Sequence, residues 1–459
     1  MTMTMMGADF STAQSVHIGG TAAILLSKST TSLEALVMPG TSSGPVSVTT
    51  ANGVSTASGT FTITSTTKLP ITRQGPSLHG TDFQGNPLVD PVAMSADGNT
   101  LLFGGPEDSS VQQLSLGAAW VFTRTGGVWS QQGPKLVGTG SGGNNVRNFV
   151  KQGSAVALSA NGNTALIGGP ADNMSTGAAW VFTHAGGMWT QQGAKLVGTD
   201  TTDHIRQGVS VALSGNGNTA AIGAPGDTGN TGAVRIFTRA DGAWTQLTKL
   251  VGTDNAGSAR EGFSVALSAD GTTLAVGGPQ DDTNIGAVWV FTCDGDGLWR
   301  QQGHKLVGTG ATGSAAQGSS VAVSADGNTV LSGGPIDNQA TGAVWAFTRA
   351  GGMWTQQGPK LTTNDAANAP PAGLAKVGSS VAVSADGNVA LIGGPGDNQG
   401  FGAAWFFTRA AGLWTQQGPK IINPDQQPGP PSLGTSVTLS ADATTAVIGD
   451  LKEMWVYVP

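Results

Sequence analysis

The sequence predicts an all-β fold in which repeated four-stranded sheets close into a ring. Three observations predict it: a motif recurring at a nearly constant step, strand-and-turn chemistry repeated within each step, and two ends that complement each other. The motif is a short apolar strand ending in Ser-Ala-Asp-Gly or a close variant, with its serines at Ser95, Ser159, Ser214, Ser268, Ser324, Ser384 and Ser440. Successive spacings are 64, 55, 54, 56, 60 and 56 residues. Self-similarity at a fixed step is the signature of a repeat architecture.

Each unit reads as four strands. In one of them, Ser320-Val321-Ala322-Val323-Ser324 is the first, and Ala325-Asp326-Gly327-Asn328 is a tight turn whose Asp-Gly pair tolerates positive φ. Thr329-Val330-Leu331-Ser332 follows and runs into Gly333-Gly334-Pro335. Gly342–Phe347 is the third strand, Arg349-Ala350-Gly351-Gly352 a turn, and Met353–Leu361 the fourth. Four antiparallel strands in a unit of about 55 residues make one blade of a β-propeller. The first three strands are apolar at nearly every position, which suits a sheet covered on both faces by neighbouring sheets. Seven units lie within the range that closes a ring.

The ends carry the argument for closure. The last unit contains Ser436–Ser440, Thr445–Gly449 and Glu453–Val458 and stops after three strands. Ahead of the first complete unit stands an orphan fourth strand, Ile71–Leu78, which matches Trp414–Ile421. Joining them completes the seventh blade and removes two exposed sheet edges, a Velcro closure.

The stretch Ser210–Pro225, followed by Gly232-Ala233-Val234, resembles the FG-GAP repeat, the blade unit of integrin α-subunit propellers and of many bacterial surface proteins. The resemblance covers residues 71–459 and implies a seven-bladed propeller devoted to adhesion or ligand binding. Integrin-type blades often carry an Asp-x-Asp-x-Asp-Gly calcium loop. Here the corresponding turn is only Ala-Asp-Gly-Asn or similar, too short for a cation that wants about six to eight oxygens, so no metal and no cofactor is expected. Asp294 and Asp296 read as turn residues. Residues 2–66 resemble an IPT/TIG immunoglobulin-like domain through Thr4–Ser11, Val16–Ala23, Val37–Gly40 and Gly44–Thr50. The usual first strand of that domain has no counterpart. The expected domains are therefore 1–66, an N-terminally incomplete β-sandwich, and 67–459, the propeller.

Composition narrows the function. Charged residues are 11% of the 459 and the net charge is -7, with no block of like charge. Nucleic-acid binding needs a basic face and is not expected. The single cysteine, Cys293, allows no intramolecular disulfide. No apolar run approaches the roughly 20 residues of a membrane helix, and the first residues lack the pattern of a signal peptide. The resemblance implies an extracellular or surface protein whose address lies outside this chain, and a cytoplasmic one is compatible with the residues. A monomer is expected.

Twelve tryptophans stand at repeated places. Trp120, Trp180, Trp289, Trp345, Trp405 and Trp455 lie in third strands, with Arg235 taking that place in the third blade. Trp129, Trp189, Trp244, Trp299, Trp354 and Trp414 open fourth strands. They read as packing between blades, and the alternative is sugar-stacking platforms. Lys135, Lys195, Lys249, Lys305, Lys360 and Lys420 read as solvated outer-edge charges. Asp108, Asp172, Asp227, Asp281, Asp337 and Asp397 each follow a proline by two residues. They read as turn formers, or else as a carboxylate ring at one channel mouth.

The connections between blades, 139–152, 199–207, 254–261, 309–317, 362–377 and 422–433, vary most and share a face with the second-to-third strand loops. Binding concentrates on such loops. Arg147, Lys151, His204, Arg206, Arg260 and Lys376 are the candidate ligand contacts there, together with the aspartates Asp172, Asp227, Asp281, Asp337 and Asp397. No catalytic constellation is visible. The expectation is a non-enzymatic binding module for a glycan or protein. The alternatives are a multivalent lectin with tryptophan-lined sites, and an amplified or designed scaffold without a ligand.

Overall fold

The computed structural model describes residues 2–37, 44–61, 68–84, 91–108, 116–142, 149–201, 204–294, 296–366, 374–423 and 432–459. Six strands form the N-terminal module: β1 (Thr2–Met6), β2 (Ala13–Ile18), β3 (Thr21–Lys28), β4 (Ser32–Leu36), β5 (Gly44–Thr50) and β6 (Gly53–Phe61). Their order is β1-β4-β3-β2-β5-β6. Strand β3 pairs with β2 over its first three residues and with β4 from Ile24 to Lys28, where the register shifts between Leu25 and Ser27. Val16, Ile18, Leu33, Ala35, Val46 and Val48 fill the space between the halves. Alternation along these strands turns one side inward, as in a sandwich.

Seven four-stranded antiparallel sheets follow, arranged as propeller blades. In the fifth blade the strands are Ser320–Val323, Thr329–Gly334, Ala343–Ala350 and Met353–Gln356. The second is buried throughout and the third over its first five residues, whereas the outermost alternates exposed and half-buried. The middle strands lie between neighbouring blades and need apolar side chains on both faces, while the outermost meets solvent on one. Clusters such as Leu331, Val344, Ala346, Ala390, Ile392 and Trp405 cross from one blade to the next.

The seventh blade is assembled from both ends of the ring. Strands Ser436–Leu439, Ala446–Gly449 and Met454–Val458 are completed by β7 (Thr72–Arg73), with Tyr457 opposite Arg73 and Val458 opposite Thr72. Past Gly75-Pro76 the pairing resumes where Leu78 bridges Met454. The expected strand Ile71–Leu78 is thus present but interrupted, because the Gly-Pro pair cannot stay in the ladder. Arg124 of the first blade spans the seam, donating to Gln74 Oε1 at 3.1 Å and Thr445 Oγ1 at 3.0 Å.

At the end of the channel formed by the Ser-Ala-Asp-Gly turns, the backbone makes a closed circle. Ala96 N donates to Ala160 O, Ala160 to Gly215, Gly215 to Ala269, Ala269 to Ala325, Ala325 to Ala385, Ala385 to Ala441, and Ala441 back to Ala96, at 2.8–3.1 Å. Within each turn, serine and aspartate lock the hairpin. Asp326 Oδ1 accepts from Ser324 Oγ at 2.5 Å and from Asn328 N at 3.0 Å. The N-terminal module sits on this circle, with Ile24, Leu26 and Leu36 against the alanine side chains. Glu34 of the module is drawn in as well: burial raises its carboxyl above the ordinary value, a hydrogen bond from Ser27 opposes this, and the Asp97 charge adds to it.

Candidate functional site: the loop face

Chain direction puts the second-to-third strand loops and the inter-blade connections at the other end of the ring. In the second to sixth blades a Gly-Gly-Pro-type corner leads into the aspartate turn, and the three residues after the aspartate have positive φ, for example Asn338 (φ 49°), Gln339 (φ 56°) and Ala340 (φ 63°). Asp337 is buried and takes two partners. Its Oδ1 accepts the backbone N–H of Thr312 in the preceding connection at 2.7 Å, and its Oδ2 meets Lys360 Nζ at 2.5 Å.

The same pairing recurs as Asp108–Lys135, Asp172–Lys195, Asp227–Lys249, Asp281–Lys305 and Asp397–Lys420, at 2.5–2.8 Å. The lysines are therefore not the solvated edge charges expected from sequence, since only 18–25% of each side chain is exposed. They neutralise carboxylates that would otherwise be buried unpaired, which is strongly unfavourable. The candidates Asp172, Asp227, Asp281, Asp337 and Asp397 are thus buried inside blade corners, with oxygens engaged by the protein itself.

Third-strand tryptophans stand beside these pairs. Trp120, Trp180, Trp289, Trp345 and Trp405 are at most 1% exposed. Their indole N–H groups reach Asp82, Thr139 O, Asp254, Thr309 O and Asp365 at 2.6–2.9 Å. Bulk that large fits only because glycine faces it: a Cβ on Gly308 would lie 2.0 Å from the Trp345 ring. In the third blade Arg235 is equally buried, with Nε 3.0 Å from Asp200 and Nη2 2.7 Å from Asp227. Burial works against the charge of Asp227, but hydrogen bonds from Lys249, Thr228 and Arg235 hold its carboxyl below the usual range.

Five of the six outer tryptophans are no more available, while Trp299 is half-buried. Trp129, Trp244, Trp354 and Trp414 lie under arginines, 5.2–5.4 Å from ring centre to guanidinium, and Trp189 lies against His184. Trp129, Trp189, Trp244, Trp354 and Trp414 each donate to a glutamine of the preceding blade. Indoles covered in this way offer no stacking platform.

The connections bring the basic candidates to one register. Lys151, Arg206, Arg260 and Lys376, with Ala316 and Ser432 in the remaining connections, all have φ between 54° and 60°. The cause is common to them: the backbone N–H turns back to the preceding corner, as Arg206 N to Ser175 O (2.8 Å), Arg260 N to Asn230 O (2.9 Å) and Lys376 N to Ala340 O (3.0 Å). The next residue is buried, and it is Gln152, Gln207, Glu261, Gln317, Val377 or Leu433. Gln152, Gln207 and Gln317 each accept a backbone N–H from the glycine after the outer strand, and Glu261 accepts that of Gly252 at 2.6 Å. Burial, helped by the charges of Asp281 and Asp254, pushes the Glu261 carboxyl up to about 7 against the bonds from Gly252 and Asn255.

Three residues beyond each left-handed position, Ser154, Phe263, Ser319, Ser379 and Thr435, with Val209, line a cavity of about 360 Å³ at the channel mouth. Arg206 and Lys376 are exposed, and Lys151 and Arg260 half-buried. Lys151 pairs with Glu107 at 3.2 Å. His204, two residues before Arg206, is exposed with φ 65°. Arg147 lies outside the described residues. Among the described residues no group of three or more His, Cys, Asp or Glu side chains is placed to hold a metal ion, and no helix is long and apolar enough to cross a membrane.

Comparison with known proteins matches the FG-GAP repeat at residues 189–237 and 244–291, and the IPT/TIG domain at residues 1–63. Each FG-GAP match begins on an outer-strand tryptophan and ends in the third strand of the next blade. That is the phase in which the ring borrows β7. No curated protein matches the chain. Among solved structures, a chain of Kuenenia stuttgartiensis hydrazine synthase is similar in fold, with TM-score 0.51 and 15% identity over 83% of this chain and 99% of that one. Both matched families are generally non-enzymatic and typical of extracellular proteins. The likeness to a protein named for an enzyme extends to the fold alone. The chain is an all-β protein with an IPT/TIG domain at its N-terminus and a β-propeller that contains FG-GAP repeats.

Proposed function

We propose that this protein is a non-enzymatic binding module of an extracellular protein, and that its ligand engages the loop face. One observation carries the reading. The turn-face mouth is drawn together by the backbone circle and covered by the module through Ile24, Leu26 and Leu36, whereas the opposite mouth opens into a cavity lined by the starts of the innermost strands, into which the variable connections lead. A rigid scaffold that varies its loops at one end is the usual design of a binding surface. The lectin alternative needs tryptophan platforms; the third-strand indoles are buried, and arginine or histidine lies over five of the outer ones.

The test is capture of panels of glycans and extracellular polypeptides by the full chain, repeated after substitution on each face. Binding weakened by Lys376→Glu or Phe263→Ser and untouched by changes on the outer edges of the blades is expected. Binding indifferent to every loop-face change would defeat the reading.

A further inference from the structure

We propose that the seam between the third and fourth blades is a pH-sensitive joint, closed while Glu261 carries its proton and loosened when that carboxyl ionises. Two independent departures from the repeat meet at this seam, one on each face of the ring. On the loop face, the connections into the second, third, fourth and fifth blades each bury one polar side chain, Gln152, Gln207, Glu261 and Gln317. A glutamine amide does two jobs there. Gln317 Oε1 accepts from Gly308 N at 2.6 Å while its Nε2 donates to Gly308 O at 3.0 Å, and Gln152 does the same with Gly138. A protonated carboxyl, with one C=O and one O–H, can copy that pattern, whereas an ionised one only accepts. Glu261 Oε2 takes the N–H of Gly252 at 2.6 Å, and Asn255 Nδ2 reaches both Gly252 O at 2.7 Å and Glu261 Oε1 at 3.3 Å. Asn255 stands third after its glycine, where the glutamine connections have Ser141, Thr201 and Ala311.

The charges around Glu261 oppose its ionisation. Asp254 begins the same connection and Asp281 stands at the corner of the fourth blade, and both carboxylates act on it. The cations nearby are engaged elsewhere: Lys305 Nζ lies 2.5 Å from Asp281, and His304 lies 3.5 Å from Asp254. Among the described residues Glu261 has no ion pair within 4 Å, its chain neighbour Arg260 included. Burial is the larger cause, and with these charges it holds the carboxyl up at about 7. An unpaired carboxylate in that position is strongly unfavourable, and opening the connection to water relieves it.

On the turn face, Arg124, Arg239, Arg349 and Arg409 clamp the seams into blades one, three, five and six, and His184 the seam into blade two. Each reaches a glutamine of the blade before it. At the seam into blade four, Cys293 holds that strand position opposite Trp299. Leu247 takes the glutamine's place and Thr272 that of the asparagine which steadies the arginine. The Cys293 thiol turns instead to Asp294 O, 3.7 Å away. The seam into blade seven, with Pro459 at the clamp position, buries the uncharged Leu433 on its loop side. Among the described residues, an ionisable staple and a missing clamp coincide only between blades three and four.

Once the joint is open, the carboxyl returns to its ordinary 4.5. Between 4.5 and about 7 the open form has released its proton and the closed form has not. The open population therefore rises by up to about tenfold per pH unit over that window and levels off above it. Hydrogen exchange of the full chain from pH 4.5 to 8, corrected for the intrinsic pH dependence of exchange and read by mass spectrometry, follows this locally. Protection over residues 252–262 is expected to fall by up to about tenfold per pH unit and then level off. The equivalent residues 308–318, which carry Gln317, are expected to stay level. The fall should extend to 244–250 and 299–301, the outer strands that no clamp joins. Glu261→Gln should stay level throughout, and Leu247→Gln/Thr272→Asn/Cys293→Arg, which restores the clamp, should confine the fall to 252–262.

Level protection in the parent, an equal fall at 308–318, or the same fall in Glu261→Gln would overturn the proposal. A fall that never leaves 252–262 in the parent would overturn the joint in favour of a single moving loop. Should the triple variant fail to fold, the pH course of the parent beside Glu261→Gln still decides, because neither depends on the restored clamp.

Discussion

The two ends of the ring are built by opposite rules. At the turn face every blade repeats the same Ser-x-Asp/Asn turn, joins its neighbours in one backbone circle and meets the module. There four arginines, Arg124, Arg239, Arg349 and Arg409, are steadied by an asparagine of their own blade and tie those four blades to the ones before them through Gln and Thr side chains. At the loop face the backbone register repeats but the side chains do not: the left-handed position holds Lys, Arg, Arg, Ala, Lys and Ser in turn. Repetition therefore marks what holds the ring together, and variation over a constant backbone marks what can be changed without cost to the fold.

The largest effect should come from the ring seam. Removal of residues 1–66 is expected to leave a folded ring, whereas removal through residue 80 takes away β7 and the Gln74 contact of Arg124. Calorimetry should show the longer truncation melting lower by more than about 5 °C, with loss of a single transition. Equal midpoints would overturn the closure.

Next comes Glu261, where a carboxyl stands in the place of Gln152, Gln207 and Gln317. Its value rises from 4.5 in the unfolded chain to about 7 in the fold. The unfolded state then releases the proton first, so the contribution of Glu261 to stability is fully present below pH 4.5 and is lost as pH climbs through about 7. Glu261→Gln should remove that loss, stabilising the protein at pH 8 by at most about 3 kcal/mol and changing little at pH 4. Denaturant titrations at the two pH values decide the matter, and parallel pH profiles for variant and parent would refute it.

Arg349→Ala removes bonds to Asn328, Gln302 and Thr273 and uncovers Trp354. A loss of about 2 kcal/mol is expected by urea unfolding. Arg235→Trp should act in the opposite direction, by about 1 kcal/mol. Gly198 already leaves the room that Gly138 gives Trp180, Asp200 can accept the indole N–H as Asp254 does, and Lys249 remains on Asp227. Lys376→Ala should be the smallest, within about 0.5 kcal/mol. A destabilisation there as large as that of Arg349→Ala would erase the contrast between the faces.

Much of this was legible in the residues. Strand, turn and blade order followed from Ser-Ala-Asp-Gly spacing and from apolar runs, and β7 from its likeness to Trp414–Ile421. The lysine–aspartate pairing could have been read too. Lys135 and its five counterparts occur in the same blades as the Pro-x-Asp corners, and the seventh blade, with Ser77 at the lysine position, lacks that corner. Arg206, Arg260 and Lys376 were legible as loop cations, but their shared left-handed backbone was not, because it is imposed by hydrogen bonds from a different loop.

By itself the sequence determined the blade, since strand period, turn chemistry and two-sided burial are local properties that a repeated motif states seven times. Only the tertiary structure decided which end stays open. The alanine in six of the seven turns, with Gly215 in the remaining one, looks like filler in the chain, and becomes a seat when seven turns converge and the module's Leu26 and Leu36 come down on them. That meeting joins residues hundreds apart in sequence, and no local pattern carries it.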